Sequence, residues 1–417
     1  MTDRPGRPLR LFFSTGEVSG DIVGAQLAAG ILADRPGSLL FGVGGSRMAA
    51  AGVTIDVATN HLGTVGITEA ISKLPALTRA LVEIRRRVRR DRPDAAVLIG
   101  NDLFNVILGR WLKRQGVPVI SYFPPQVWIW KALSRPFSRS FDAVLASFPD
   151  EETVWGATGV PTAFVGHYLK DTLSPATPVG RAAARARFGL PPDAPVVALL
   201  PGSRSHEVAP LAPLLLDSAR ELLAKAPDLR FLLPVAEPIY SEPIRREVSS
   251  RGLERAVSIV EGSHEALRAS DLVLLASGTA SLEAALLGVP MVVVYRVSPF
   301  TIGFVRFCIR RGWMDSETMA LPNLVLGRGA VPELRQETAT VECLVQEASR
   351  LLADPEARER MRADLALVQQ RLGDGDALRR ASARIVLCAE ESRDRVRAIA
   401  PPAAAEPELA PVREARR

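Results

Sequence analysis

Cysteine is scarce in this 417-residue chain: Cys308, Cys343 and Cys388 lie far apart and form no CxxC pair. That spacing argues against a disulfide framework and a thiolate zinc site, and it suits a reducing compartment. Histidine is almost as rare, and none of His61, His167, His206 and His264 stands in HxxxH spacing. No histidine metal site is indicated, and no metal or other cofactor is expected. Long apolar runs are also missing. The opening MTDRPGRPLRLFFSTGE is basic but its apolar run is too short for the core of a signal peptide. The longest apolar tract, Leu272 to Tyr295, is interrupted by Ser277-Gly278-Thr279, Glu283 and Gly288-Val289-Pro290. It reads as strand, turn, helix and strand rather than as a membrane span.

What the chain does have is apolar material, 47% of residues against 24% charged, enough for two domain-sized cores. Net charge is a modest +6, which favours acidic partners such as phosphate or anionic lipid. Part of the excess is local: six arginines crowd between Arg85 and Arg92. Leu81, Ile84 and Val88 at helical spacing make that run the solvated face of a helix. With no interleaved aromatics and no nucleic-acid motif, no nucleic-acid partner is expected.

Short apolar runs alternate with helical patterns at Leu9 to Ser14, Leu39 to Val43, Ala95 to Gly100, Val117 to Phe123, Asp142 to Ser147 and Ala163 to Gly166. Such alternation predicts a parallel sheet flanked by helices. The proline-rich stretch Asp171 to Pro195 interrupts it. The series restarts with Val196 to Leu200, Phe231 to Pro234, Val257 to Val260, Leu272 to Ala276 and Met291 to Tyr295. This is an α/β chain of two Rossmann-like doubly wound domains, expected at 1–172 and 173–398 with a cleft between them. After Pro332 the pattern is helical, near Thr338 to Leu352, Pro355 to Leu372 and Ala377 to Arg395, with no further strand. The Pro- and Ala-rich end, 399–417, reads as a disordered tail.

Several strand-to-helix turns carry the residues for anion binding. After the first strand comes Ser14-Thr15-Gly16-Glu17-Val18-Ser19-Gly20-Asp21. Gly16 and Gly20 admit close approach to the backbone, Ser19 or Asp21 can cap, and free amides at a helix start favour an anion. An ordinary structural turn would look the same. In the second half, Gly202 and Ser203 offer backbone donors and Arg204 a bidentate cation, suited to a diphosphate. Ala276-Ser277-Gly278-Thr279 ends a buried strand with small residues and opens a helix. Glu283, one turn further, reads either as a contact to ribose hydroxyls or as a capping-box glutamate.

These motifs, in order with GVGGSRMAAAGV (42–53), GITEAISKLP (66–75), SYFPPQVWIWK (121–131), GHYLKD (166–171), LLPGSRSHEV (199–208) and MALPNLVLGR (319–328), resemble the lipid A disaccharide synthase family, glycosyltransferase family 19 of GT-B fold. The resemblance covers nearly all of residues 10–390. It implies an inverting transfer of an acylated glucosamine from UDP to the 6-hydroxyl of an acylated glucosamine 1-phosphate, without a metal. It implies that UDP is held by Gly202, Ser203, Arg204, Ser277, Gly278, Thr279, Glu283 and Asn323. Arg204 would offset charge on the departing diphosphate. Gly16, Glu17, Ser19 and Gly20 would meet substrate in the first half, which would also supply a carboxylate base.

At that base the chain departs from the family, whose turn reads IDAPDFN. Here it is Ile99-Gly100-Asn101-Asp102-Leu103-Phe104-Asn105, with Gly100 and Leu103 at the two aspartate positions. Asp102 is the acid left in the turn and the candidate base; its alternative role is the N-cap of the next helix. A changed base, or a paralogue of altered activity, also fits the departure. So do the shifts from HYVSP to Ser121-Tyr122-Phe123-Pro124-Pro125 and from GHP to Gly166-His167-Tyr168.

Membrane contact has its own signal: Phe304, Phe307 and Trp313 interleave with Arg306, Arg310 and Arg311, a composition for an interfacial segment. The alternative is a helix packed on its own domain. The expected enzyme is cytoplasmic and peripheral on the inner membrane, and the helical C-terminal third is compatible with a homodimer. Two alternatives carry different functions: a UDP-N-acetylglucosamine 2-epimerase-like enzyme, and a non-catalytic UDP-sugar or lipid-binding homologue.

Overall fold

The computed structural model describes residues 7–16, 18–58, 74–100, 103–126, 133–235, 237–296, 299–313 and 318–399. The first sheet contains β1 (Arg10–Thr15), β2 (Leu39–Gly44), β3 (Thr54–Ala58), β4 (Ala95–Ile99), β5 (Val119–Tyr122), β6 (Ala143–Ala146) and β7 (Thr162–Phe164). Their order is β3-β2-β1-β4-β5-β6-β7. The second contains β8 (Val196–Leu200), β9 (Arg230–Pro234), β10 (Val257–Val260), β11 (Leu272–Ala276), β12 (Met291–Tyr295) and β13 (Glu333–Arg335), ordered β10-β9-β8-β11-β12-β13. All pairings in it are parallel. The central strands are apolar along their whole length because helices cover both faces: β4, β8 and β11 are buried at every residue.

In both sheets the first strand lies between the second and the fourth, so the chain winds outward in two directions from a switch point, β1/β4 in one and β8/β11 in the other. Open sheets of this kind bind ligands beyond the carboxyl ends of the strands at the switch point.

Compact packing divides the chain into residues up to Leu98 with Trp111–Ile120 and the chain from Ser382 on, and a second unit of Ile99–Arg110 with Ser121–Ala381. Within the first, Arg35 meets Glu390 at 3.2 Å. Within the second, Asp171 caps the terminal helix Ala377–Ile399, accepting the amides of Ala377 (3.0 Å) and Leu378 (2.9 Å). The interrupted tract Leu272 to Tyr295 is indeed β11, the helix Thr279–Leu287 and β12.

Two strands escape the sequence reading. β3 has the sequence TIDVA and is nowhere fully buried, and the three residues of β13 are Glu, Leu and Arg. The expectation of no strand beyond Pro332 is therefore corrected: both are edge strands, which need no continuous apolar run. The helices that follow, Val341–Ala353 and Pro355–Arg371, start where Thr340 and Asp354 cap them, each side chain accepting an amide three residues on. Of the expected tail 399–417, Ile399 closes the helix Ala377–Ile399 and residues 400–417 lie outside the described residues.

Candidate functional site

At the second sheet's switch point the turns after β8 and β11 leave neighbouring strands, with Leu200 paired to Leu275. The first turn runs through Gly202 to Ser203 and Arg204, ahead of the helix Ser205–Lys225. Glu207, at the third helical position, folds back so that Oε2 accepts the amides of Ser203 (3.0 Å) and Arg204 (3.3 Å). Oε1 lies 3.5 Å from the Arg204 guanidinium. A glutamate there is the capping-box signal, which the sequence reading passed over. It changes the picture of this turn. The Ser203 and Arg204 amides are occupied by the chain's own carboxylate, and the cation offered outward is the Arg204 side chain, 41% exposed. Gly202 has φ 111, and a Cβ there would lie 2.6 Å from Glu207 Cβ, so only glycine lets the carboxylate fold down.

The turn after β11 is open by contrast. Ser277, Gly278 and Thr279 are half-buried at the start of the helix Thr279–Leu287, and a Cβ on Gly278 would meet nothing within 4 Å. Helix amides and dipole there favour a negative group, with small side chains leaving it room. Ser281 bonds back to the Gly278 carbonyl at 2.7 Å. Glu283 stands beyond the capping position. Its Oε2 lies 3.4 Å from His264 Nε2 and the side chain remains 18% exposed.

Asn323 is 6% exposed, and its amide serves the protein. Oδ1 accepts the amides of Ala330 (2.7 Å) and Val331 (2.9 Å), while Nδ2 donates to the Val331 carbonyl (3.0 Å) and lies 3.4 Å from Glu333 Oε2. Glu333 Oε1 accepts the Met319 amide, and Ser277 Oγ donates to the Met319 carbonyl, both at 2.7 Å. Asn323 thus holds the loop on which Ser277 rests. Tyr295, at the end of β12, has its phenol pKa raised by burial and then by the charges of Glu207 and Glu333.

In the first sheet, Gly16 follows β1 and is buried, as is Gly20, while Ser19 is half-buried in the helix Val18–Asp34. Asp21 does not cap its own helix. It accepts the amides of Gly45 (2.8 Å), Arg47 (3.1 Å) and Met48 (3.1 Å) at the start of the helix Ser46–Ala50. Beyond β4, Gly100 has φ 100, and Asn105 donates from Nδ2 to the Ile99 carbonyl at 3.0 Å, closing the turn from below. The candidate base Asp102, and Glu17, lie outside the described residues.

Beside β5 and β7 sits an aromatic group. Phe123 has a left-handed backbone, φ 55, costly for a bulky residue and a mark of local constraint. Its ring meets Tyr122, His167 and Tyr168 at 4.6, 5.1 and 5.5 Å. His167 is buried and neutral, burial having lowered its pKa to about 3, and Nδ1 accepts the Leu169 amide at 3.3 Å.

The helix Pro299–Arg310 packs one side on its neighbours and leaves the other exposed. Cys308 is buried with Val305, Ile309, Met319 and Leu324 around it. On the outer side Phe307 and Trp313 are 41% and 45% exposed, with rings edge to face at 5.9 Å and Arg311 over Phe307 at 5.1 Å. Arg310 is exposed, Arg306 reaches Glu337 at 3.3 Å, and the Phe304 side chain lies outside the described residues. No described helix is long and apolar enough to cross a membrane.

Comparison with known proteins bears on this arrangement. Residues 11–386 match the family model described as lipid-A-disaccharide synthetase. A lipid-A-disaccharide synthase of Geobacter sulfurreducens is 38% identical over 367 residues, covering 88% of this chain and 94% of that protein. One from Pseudomonas aeruginosa is 41% identical over 349 residues, 83% and 90% of the two chains. Among solved structures, the UDP-GlcNAc 2-epimerase of Neisseria meningitidis bound to UDP-GlcNAc superposes with TM-score 0.62 at 16% identity, over 91% of this chain and 100% of that one. The glycotransferase of kitacinnamycin gives 0.59 at 16% identity, over 92% and 100%. These likenesses establish the shared two-domain GT-B fold.

Proposed function

Since the chain belongs to the lipid-A-disaccharide synthetase family, it is a glycosyltransferase that forms the lipid A disaccharide, and we propose that it does so by inverting transfer from a UDP-activated acylated glucosamine to an acylated glucosamine 1-phosphate. The observation that carries the donor side is the pairing of β8 with β11. It sets an outward-facing arginine beside an open helix N-terminus at the switch point of the second sheet. In this reading the diphosphate lies against Thr279 and the Ser277-Gly278 backbone, with Gly202 and Ser203 forming the adjoining turn. Arg204 offsets the charge that grows on UDP as it leaves. Glu283 receives ribose hydroxyls, and Asn323 acts at one remove by fixing the loop under Ser277.

On the acceptor side, a carboxylate removes the proton of the attacking 6-hydroxyl as oxygen bonds to the anomeric carbon and the bond to the diphosphate breaks. Asp102 is the proposed base, the acid in the sequence from Ile99 to Asn105. Asp21 is a poor substitute, its oxygens being committed to three amides. Acyl substrates require access to a lipid surface. The exposed Phe307 and Trp313 with Arg310 and Arg311 suit an anionic interface on the cytoplasmic face of the inner membrane.

The test is the product. A β-linked disaccharide joined through the acceptor's 6-oxygen, isolated after incubation with both sugars, supports the reading; an α-linked product or none overturns it. An epimerised UDP-sugar formed without acceptor would favour the epimerase alternative, which the sequence relatives do not.

A further inference from the structure

The chain leaves β5 through a constrained turn. Phe123 follows Tyr122 with φ 55, and Pro124 and Pro125, both buried, come next. Proline favours extended backbone in the residue before it, and a positive φ is costly for any bulky side chain, so two preferences are overridden at Phe123. Such an outlier persists only where its surroundings hold it, and outliers of this kind gather at ligand sites.

The surroundings are aromatic. The ring of His167 meets Phe123 edge to face and stacks on Tyr168, while Phe148 approaches His167 at 5.3 Å. Tyr122, Phe148, His167 and Tyr168 are buried, whereas Phe123 is half-buried and is the ring this group offers outward. Its place follows from the neighbouring elements. The Gly100 amide, two residues before Asp102 in the sequence, donates to the Tyr122 carbonyl at 3.1 Å. Tyr168 precedes the helix Leu169–Thr172, which packs against the helix Thr279–Leu287 of the donor reading. All of these residues lie in the second compact unit. Gly100 and Phe123 stand just past the carboxyl ends of β4 and β5, the side on which open parallel sheets take ligands.

Resting on the acceptor-side reading above, we propose that Phe123 is a specificity-determining residue whose ring meets a fatty acyl chain of the acylated glucosamine 1-phosphate. Hydrocarbon gains by leaving water against such a surface, and the ring carries no hydrogen-bonding group for a phosphate or a sugar hydroxyl. The buried rings and the two prolines keep Phe123 from folding away, so the surface is formed before the chain arrives. Where the family pattern HYVSP has valine, this chain carries the larger ring.

The experiment measures kcat/KM for acceptors bearing octanoyl or acetyl groups with one donor, and for donors bearing the same groups with one acceptor. It uses wild type, Phe123→Gly, Phe123→Asn and Phe123→Leu. Glycine and asparagine tolerate a positive φ, so two folded variants without the ring are available, which thermal melting checks. Wild type should prefer the octanoyl acceptor by about tenfold or more. Phe123→Gly and Phe123→Asn should cut that preference by roughly fivefold or more, through KM rather than kcat, while Phe123→Leu, which keeps apolar bulk, retains most of it. An acceptor preference unchanged in both ring-free variants, or a preference lost in the donor series alone, overturns this assignment. Transfer by wild type to neither acceptor overturns the acceptor-side reading and this assignment with it.

Discussion

Glu207 is tied to Arg204 twice, once through the arginine amide at 3.3 Å and once across 3.5 Å to the guanidinium. Its capping role and its hold on the candidate catalytic cation are separable. Arg204→Ala should lower turnover on the order of a hundredfold or more, since it removes charge stabilisation of the leaving group. Glu207→Gln keeps an acceptor for the amides, so its melting temperature should stay near wild type while turnover drops as the arginine loses its partner. Glu207→Ala should in addition cost about 1 kcal/mol of stability. Steady-state kinetics beside thermal melts check this; an Arg204→Ala enzyme of full turnover would remove the assigned role.

Asp21 makes the opposite kind of prediction. A buried carboxylate accepting three amides is structural, so Asp21→Ala should destabilise the fold by roughly 2–4 kcal/mol, and Asp21→Asn by less. Urea unfolding measures the loss. If Asp21→Ala unfolds like wild type but is inactive, the residue belongs to chemistry instead.

His167 sets a pH dependence. Burial lowers its pKa to about 3 in the folded chain, below the value near 6.5 of an unfolded one. The unfolded chain binds the extra proton between those values, so this contribution is fully present above about pH 6.5 and declines as pH falls toward 3, by up to about 1.4 kcal/mol per unit. His167→Phe should flatten that part of the stability profile. An unaltered slope would mean the histidine is protonated within the fold.

The outer side of the helix Pro299–Arg310 predicts vesicle binding. Phe307→Ser with Trp313→Ser, or Arg310→Glu with Arg311→Glu, should move the protein from anionic vesicles to the supernatant. Wild-type binding through the arginines should weaken at high salt. Sedimentation unchanged in both double variants would leave this helix as packing only.

Much of the fold was legible because buried parallel strands must be continuously apolar, as in Ala95–Ile99 and Leu272–Ala276. Thr54–Ala58 and Glu333–Arg335 were not, since an edge strand has one side to satisfy and its residues look like loop. The site divides along a different line. Glycines and small residues at strand ends marked the turns, because backbone shape requires them. A polar side chain in a turn, however, reads alike whether it meets a ligand or an amide. Asp21 and Asn323 were placed on substrate or at their own helix, and both serve neighbouring backbone. The approach of His264 to Glu283 joins residues after different strands, a contact that only the sheet order creates.

The measurement that bears most directly on the account is release of UDP from a UDP-activated acylated glucosamine, followed with and without acylated glucosamine 1-phosphate. The account predicts release only when the acceptor is present, abolished by Asp102→Asn and lowered on the order of a hundredfold or more by Arg204→Ala. Release independent of acceptor, or full activity in Asp102→Asn and Arg204→Ala alike, would contradict it.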